Sequence, residues 1–422
     1  MTDNAFYAQS GGVTSVINAS AAGVIEEARQ HPGQIGTVYA GMNGILGALN
    51  EELINTAQFG ADALQSLRHT PAGAFGSCRY KLPPPGDDNR EYLRLMEVFQ
   101  AWKIRYFFYN GGGDSQDTAD KLARFSRQQG YPITCIGVPK TMDNDLPETD
   151  CCPGFGSVAK YLATSIMEAS LDLRSMQSSS TRVFIMEVMG RHAGWVAAAS
   201  GLARDERQLG PDLILFPERP FEPQRFLQAV KDRIEKQGYC VVTASEGLRD
   251  AQGDFVSQLG GGDAFGHAQL GGVAALLAEQ VQQQLGQKCR WAKCDYLQRA
   301  ARHLASQTDL DQAYALGREA VRLALAGRNA LMPTIRRLHD DPYVWELDSV
   351  PLDQVANRER LLPEHFIRED GFHITPAARR YLAPLIAGEA YPPYRDGLPD
   401  YRLFTERLLP KKRPPFERGG IQ

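Results

Sequence analysis

Two short apolar runs, 104–109 and 133–138, each break into a loop dense in reactive groups. The first loop is Tyr109-Asn110-Gly111-Gly112-Gly113-Asp114-Ser115, and the second is Pro139-Lys140-Thr141-Met142-Asp143-Asn144-Asp145. Apolar runs of this length, bounded by turn residues, predict buried strands. The segment 115–129 between them reads as a helix. Two parallel strands joined by a helix form a right-handed unit, so both loops leave the same carboxyl edge of a sheet, where open α/β sheets bind ligands. Three glycines let backbone N–H groups approach an anion, and the next helix offers its positive end. The second loop supplies an ammonium, two carboxylates, a hydroxyl and an amide. Either loop alone is compatible with an ordinary turn. On consecutive strand ends, they predict a phosphate-handling site.

The same alternation recurs along the chain. A strand over 6–9 leads into Ser10-Gly11-Gly12-Val13-Thr14-Ser15 and a helix over 15–30. The GxxxxGK[ST] pattern is missing, which disfavours a P-loop nucleotide site. A second run occupies 154–247: a helix over 157–173, a strand over 182–188 ending in Met189-Gly190-Arg191-His192, a strand over 212–216, a helix over 223–237, and a strand over 239–245 ending in Glu246-Gly247. Helices are expected over 269–285 and 309–326, and a strand over 289–294. The fold class is therefore α/β, with two facing three-layer αβα domains, mostly parallel sheets and a C-terminal extension. The expected boundaries are 1–150, completed by part of 300–330, then 151–300, then an extension over 331–422 that carries no assigned chemistry.

Composition narrows the function classes. The 422 residues carry a net charge of −4, so nothing global points to nucleic acid or an anionic membrane. There is no apolar run of membrane-spanning length and no signal-peptide pattern, so a cytoplasmic location is expected. Seven cysteines, two of them adjacent at Cys151-Cys152, suit reduced thiols better than a disulfide framework or a zinc site.

The ordered set SGGVTSVIN, GSCRYK, GGGDS, PKTMDND, RVFIMEVMGRHAG, SEG and RWAKCDYLQR resembles the phosphofructokinases, over about 5–305. The resemblance implies phosphoryl transfer to the 1-hydroxyl of fructose 6-phosphate, a step of glycolysis, with Mg2+ as cofactor. It makes Asp143 the general base, and Asp145 an organiser of the metal and loop. It implies a donor site in the first domain, from Gly12, Arg79, Gly112, Gly113, Asp114, Ser115 and Lys140. Lys81, the second cation of Arg79-Tyr80-Lys81, reads from the residues alone as part of a solvated surface loop. It implies sugar-phosphate binding by Thr141 and Asp143 of the first domain and by Arg182, Met189, Gly190, Arg191, Glu246, Arg290, Tyr296 and Arg299 of the second. Some of these arginines cross a subunit boundary in the family, so a homo-oligomer, at least a dimer, is expected.

Two positions bear on the donor. ATP-using members carry Gly-Gly-Asp-Gly-Ser in the first loop and Gly before the Thr of the second. Here Asp114 and Lys140 stand instead, as in the pyrophosphate-dependent branch. A carboxylate at 114 sets bulk and negative charge where the α-phosphate of ATP would lie. Lys140 adds a cation where the leaving orthophosphate gathers charge. Gly113 takes the place of the Asp associated with magnesium in ATP-using members, so Asp114 and Asp145 are the expected metal ligands. The reading is thus reversible transfer from pyrophosphate to fructose 6-phosphate, with Asp143, Lys140, Asp114 and Arg191 as the catalytic set. An ATP-dependent phosphofructokinase is the alternative, and Asp114 and Lys140 argue against it. A kinase acting on NAD or a lipid, or an inactive regulatory subunit, fits less well with the intact TMDND, MGR and SEG motifs.

Overall fold

The computed structural model describes residues 2–86, 88–204, 209–262 and 268–417. In chain order the strands are β1 (Asp3–Gln9), β2 (Ile35–Gly41), β3 (Leu53–Asn55), β4 (Ile104–Gly111), β5 (Thr134–Pro139), β6 (Val183–Val188), β7 (Leu213–Leu215), β8 (Cys240–Ser245), β9 (Gln258–Gly262), β10 (Ala268–Leu270), β11 (Cys289–Lys293), β12 (Leu331–Asp340) and β13 (Tyr343–Pro351). The first sheet runs β13-β12-β5-β4-β1-β2-β3 and the second β11-β6-β8-β7. All pairs of the second sheet are parallel. In the first, only the edge strands β3 and β13 pair antiparallel.

Strand β4 shows why. Phe107, Phe108 and Tyr109 are fully buried in succession, which requires cover on both faces of the sheet. Helices Arg90–Ala101 and Gly113–Gln128 share a core with one face, and Ile17–Arg29 and Gln307–Leu325 with the other. Helix Gln307–Leu325 is tied to its neighbour by Arg318 and Arg322, which donate to Glu27 at 2.6 and 2.8 Å. The second sheet is likewise covered by Phe155–Met176 and Trp195–Ser200 on one face, and by Pro223–Gln237 and Val273–Leu285 on the other. Both units are therefore three-layer αβα sandwiches.

Two expectations need correction. Residues 331–351, assigned to the extension, form the β12–β13 hairpin and complete the first sheet beside β5. Their inner half, Leu331–Ile335, is buried, while the outer half is largely exposed, so no continuous apolar run announces them. The helix expected from 269 begins at Val273, because Gly271 and Gly272 take positive φ (139° and 88°) after β10. Beyond Pro351 the chain, in its described residues, runs in short turns, one α-helix, Pro376–Leu382, and a small antiparallel pair, Tyr394–Arg395 with Leu398–Pro399, and Phe366, Ile374 and Leu382 share a core with Trp195 of the second unit. On the way it passes the mouth of the cleft between the carboxyl edges of β4, β5, β6 and β8. Among the described residues no helix is long and apolar enough to cross a membrane.

Candidate active site

The donor-side loops are tied to the end of the central strand β4 by backbone pairing, Ser10 N–H donating to the Asn110 carbonyl at 2.8 Å and Lys140 N–H to the Gly111 carbonyl at 3.2 Å. A side chain on Gly111 would put its Cβ 2.0 Å from the Ser115 hydroxyl, so only glycine lets helix Gly113–Gln128 start this close to β4. On the neighbouring loop a Cβ on Gly12 would lie 2.8 Å from the Arg299 guanidinium. Between these loops sits Lys140, only 4% exposed, its Nζ donating to the Gly12 carbonyl at 2.6 Å. Burial lowers its pKa to about 8, against the pull of Asp145 and Asp143, with Arg299 and Arg79 adding to the decrease.

The carboxylate loop is locked from below. Asn144 is fully buried at φ 55°, a left-handed conformation that Asn tolerates. Its side chain accepts from the Cys152 N–H at 3.0 Å and donates to the Tyr381 hydroxyl at 3.2 Å. Thr141 Oγ1 accepts from the Asp143 N–H at 3.1 Å. These bonds leave the Asp143 and Asp145 side chains on the cleft wall. Burial raises the Asp143 pKa, and Asp145 and Glu246 raise it further, while Lys140 and Arg191 oppose them. Asp145 is raised too, first by burial, with the Thr141 hydroxyl opposing and Glu359 adding repulsion. Asp143 Oδ1 is buried without a hydrogen-bond partner among the described residues. A desolvated carboxylate with a raised pKa and an unused oxygen is suited to take up a proton.

The facing wall belongs to the second sheet. After β6, Gly190 turns the chain at φ 128°, and its carbonyl accepts from the Ser245 hydroxyl at the end of β8 at 2.7 Å. That bond sets Met189, Arg191, His192 and Ala193 beside Glu246. Burial raises the Glu246 pKa, with Lys293 the main opposing charge. The walls enclose a cleft of about 230 Å³. Cations and carboxylates face each other across it, as a site for a phosphorylated, hydroxyl-bearing ligand requires.

The family model described as Phosphofructokinase matches residues 4–324. The chain belongs to the phosphofructokinase family. It is 59% identical over 409 residues to a protein of Methylococcus capsulatus named pyrophosphate--fructose 6-phosphate 1-phosphotransferase, covering 97% of each. A protein of the same name from Halomonas elongata is 58% identical over 98% of this chain and 99% of its own. The crystal structure of a pyrophosphate-dependent phosphofructokinase from Nitrosospira multiformis superposes with a TM-score of 0.91 at 56% identity, covering 98% of this chain and 100% of that one.

In this phosphofructokinase the cleft brings together Gly12, Arg79, Gly112, Gly113, Asp114, Ser115, Lys140, Thr141, Asp143, Asp145, Met189, Arg191, Glu246 and Arg299. Four expected residues lie elsewhere. Gly190 shapes its loop without lining the cleft. Tyr296 is 64% exposed, its ring under the Arg299 guanidinium at 3.9 Å. Arg182 precedes β6 and Arg290 pairs with Phe184 near its start, so both sit toward the amino edge of the sheet. Arg182 lines a separate groove with Lys231 and Gln284.

Other residues of this phosphofructokinase reach the site without having been expected there. His192 and Glu359 line the cleft and pair at 2.9 Å. Lys81 pairs with Asp114 at 2.7 Å. Arg360 underpins the carboxylate loop: its guanidinium donates to the Asn144, Thr149 and Asp150 carbonyls at 2.9, 2.6 and 2.9 Å. Its own N–H donates to the Asp145 carbonyl at 2.7 Å. The cation pair in GSCRYK gave a hint of Lys81, whereas nothing local marks Glu359 or Arg360. The expected ligands Asp114 and Asp145 offer oxygen donors that suit a hard divalent cation, with Asp114 already paired to Lys81 through one of its oxygens. No cluster of three or more ligating side chains occurs among the described residues, and magnesium, which keeps waters and shares donor phosphates, needs none.

Proposed function

We propose that the chain transfers a phosphoryl group reversibly from pyrophosphate to the 1-hydroxyl of fructose 6-phosphate, giving fructose 1,6-bisphosphate and orthophosphate. The observation that carries the donor assignment is Lys140, buried in the cradle that Asp114 borders. An ammonium desolvated to this degree needs an anion pressed against it, and a carboxylate at the helix start leaves room for a short one. The names of the relatives support the same reading.

In this reading pyrophosphate lies on the N–H groups of Gly112 to Asp114 and Gly12, beside Ser115 and between Arg79 and Lys140. Arg191 and Arg299 draw the sugar phosphate across the cleft, and Glu246 accepts a hydrogen bond from a sugar hydroxyl. The 1-hydroxyl oxygen bonds to the near phosphorus while the bridging P–O bond breaks. Its proton passes to Asp143, and the bridging electron pair leaves on orthophosphate beside Lys140. Asp145 would hold Mg2+, which when bound neutralises charge on the donor oxygens. Asp114 already engages Lys81 and serves better as a wall than as a ligand. Residues 1–150 with the helix after 306 and the 331–351 hairpin form the donor domain, and 151–300 the sugar-phosphate domain. Arg182 and Arg290, remote from the cleft of their own chain, serve the cleft of a neighbouring subunit in an oligomer.

A coupled assay tests the reading. Purified protein with Mg2+ and fructose 6-phosphate should turn over with pyrophosphate. Turnover with ATP but none with pyrophosphate would sink the donor assignment.

A further inference from the structure

We infer that Lys81, held by Asn357 of the C-terminal segment, is a positioning residue that fixes Asp114 as the end wall of the donor cradle and so sets the length of donor accepted. The inference rests on the pyrophosphate reading above. Asp114 stands in the first turn of helix Gly113–Gln128 and lines the cleft. Lys81 does not line it but stands behind, its Nζ 2.7 Å from Asp114 Oδ1. The same Nζ donates to Asn357 Oδ1 at 3.0 Å, across 276 residues of sequence.

Asn357 is itself pinned. Its φ of 56° marks a tight turn, and its nitrogen and the Arg358 carbonyl lie 3.8 and 3.9 Å from where a Cβ on Gly113 would be, so the segment covers the helix start. Three residues on, Arg360 is bonded to the carboxylate loop, and its carbonyl accepts from the Trp195 indole of the facing domain at 3.0 Å. Contacts from Asp114 through Lys81 to Asn357, and from Arg360 to Asp145 three residues further along the same segment, thus join the end wall of the donor site to the loop that carries the base.

The physical need for the chain is plain. A lone aspartate in a first helical turn is free to change rotamer, and beside a polyanion it is pushed away from it. A wall that swings aside excludes nothing. A cation behind the carboxylate holds it in place and cancels most of its charge at longer range, so a compact donor is not repelled while a longer one meets a filled volume. Discrimination then depends on shape, and on a contact that Asp114 does not make alone.

The experiment compares wild type, Lys81→Met, Lys81→Arg and Asn357→Ala with pyrophosphate and inorganic tripolyphosphate as donors. Lys81→Met should raise the pyrophosphate KM about fivefold to tenfold, the scale of a part-exposed charge-assisted contact, with kcat within about twofold. The preference for pyrophosphate over tripolyphosphate in kcat/KM should fall by a similar factor. Lys81→Arg should restore most of both. Asn357→Ala should move both the same way, by about threefold. The fructose 6-phosphate KM should not move. If wild type uses pyrophosphate and Lys81→Met matches it in KM and donor preference, the inference falls alone. Equal losses toward pyrophosphate and fructose 6-phosphate would mean general damage and overturn it too. If wild type uses ATP and not pyrophosphate, the functional reading falls and takes this one with it.

Discussion

Replacing Lys140 with methionine should remove activity and stabilise the ligand-free protein. The ammonium is 4% exposed, and its pKa falls from 10.5 to about 8 because burial outweighs the attraction of Asp145 and Asp143. Since one pKa unit is worth somewhat more than 1 kcal/mol, keeping it charged in the folded state at pH 7 costs about 3 kcal/mol relative to the unfolded chain. Methionine fills similar volume without that cost. It loses the 2.6 Å bond to the Gly12 carbonyl, an offset of about 1–1.5 kcal/mol. The net expectation is a variant more stable by about 2 kcal/mol. Because the folded pKa lies below the unfolded one, the penalty is fully present below pH 8 and is relieved as pH rises to 10.5. Urea unfolding of the ligand-free protein, followed through its first transition at pH 7 and at pH 10, measures the difference. The gain should be large at pH 7 and nearly gone at pH 10, while kcat with pyrophosphate drops by about 10²–10³. A variant less stable than wild type at pH 7, or a gain that does not shrink with pH, would refute the assignment of Lys140 as a cation held at a cost for its ligand.

Three further outcomes follow from the same geometry. Asp143→Asn should lower kcat by about 10²–10⁴ while fructose 6-phosphate still binds, checked by turnover and by calorimetric titration; a near-wild-type rate would show that Asp143 is not the base. The pH profile of kcat/KM for pyrophosphate should fall on the alkaline side near 8 as Lys140 loses its proton, and on the acid side well above the ordinary carboxylate value of about 4, since the Asp143 pKa is raised. Lys140→Arg should push the alkaline limb upward, and an unmoved limb would assign it to another group. Arg360→Ala should cost about 2–3 kcal/mol in urea unfolding, because the part-buried guanidinium is the side-chain partner of the Asn144 and Thr149 carbonyls, the Asp150 carbonyl keeping the Tyr381 hydroxyl, and it should lower kcat by loosening the loop that carries Asp143; a loss under about 1 kcal/mol would mean the loop holds itself.

What the sequence determined is whatever a strand delivers to its own carboxyl end. The loops after β1, β4, β5, β6 and β8 carry Gly12, Asp114, Lys140, Asp143, Arg191 and Glu246, and each was legible because an apolar run fixes both the strand and the edge at which its loop emerges. The α/β class and the two sandwiches follow from the same alternation. The tertiary structure alone decided what arrives from far along the chain. The β12–β13 hairpin joins β5 through an inner half too short to stand out in the sequence, and Glu359 reaches the cleft, with Asn357 and Arg360 supporting it from behind, from a stretch without helical or strand periodicity. It also decided direction: Arg182 and Arg290 belong to motifs whose other members face the cleft, but they lie at the start of β6 and within the first half of β11, at the far edge of the sheet. Periodicity encodes which face of an element is buried. It does not encode which distant segment covers that face, because many segments of similar polarity satisfy it and only packing of the whole chain selects one.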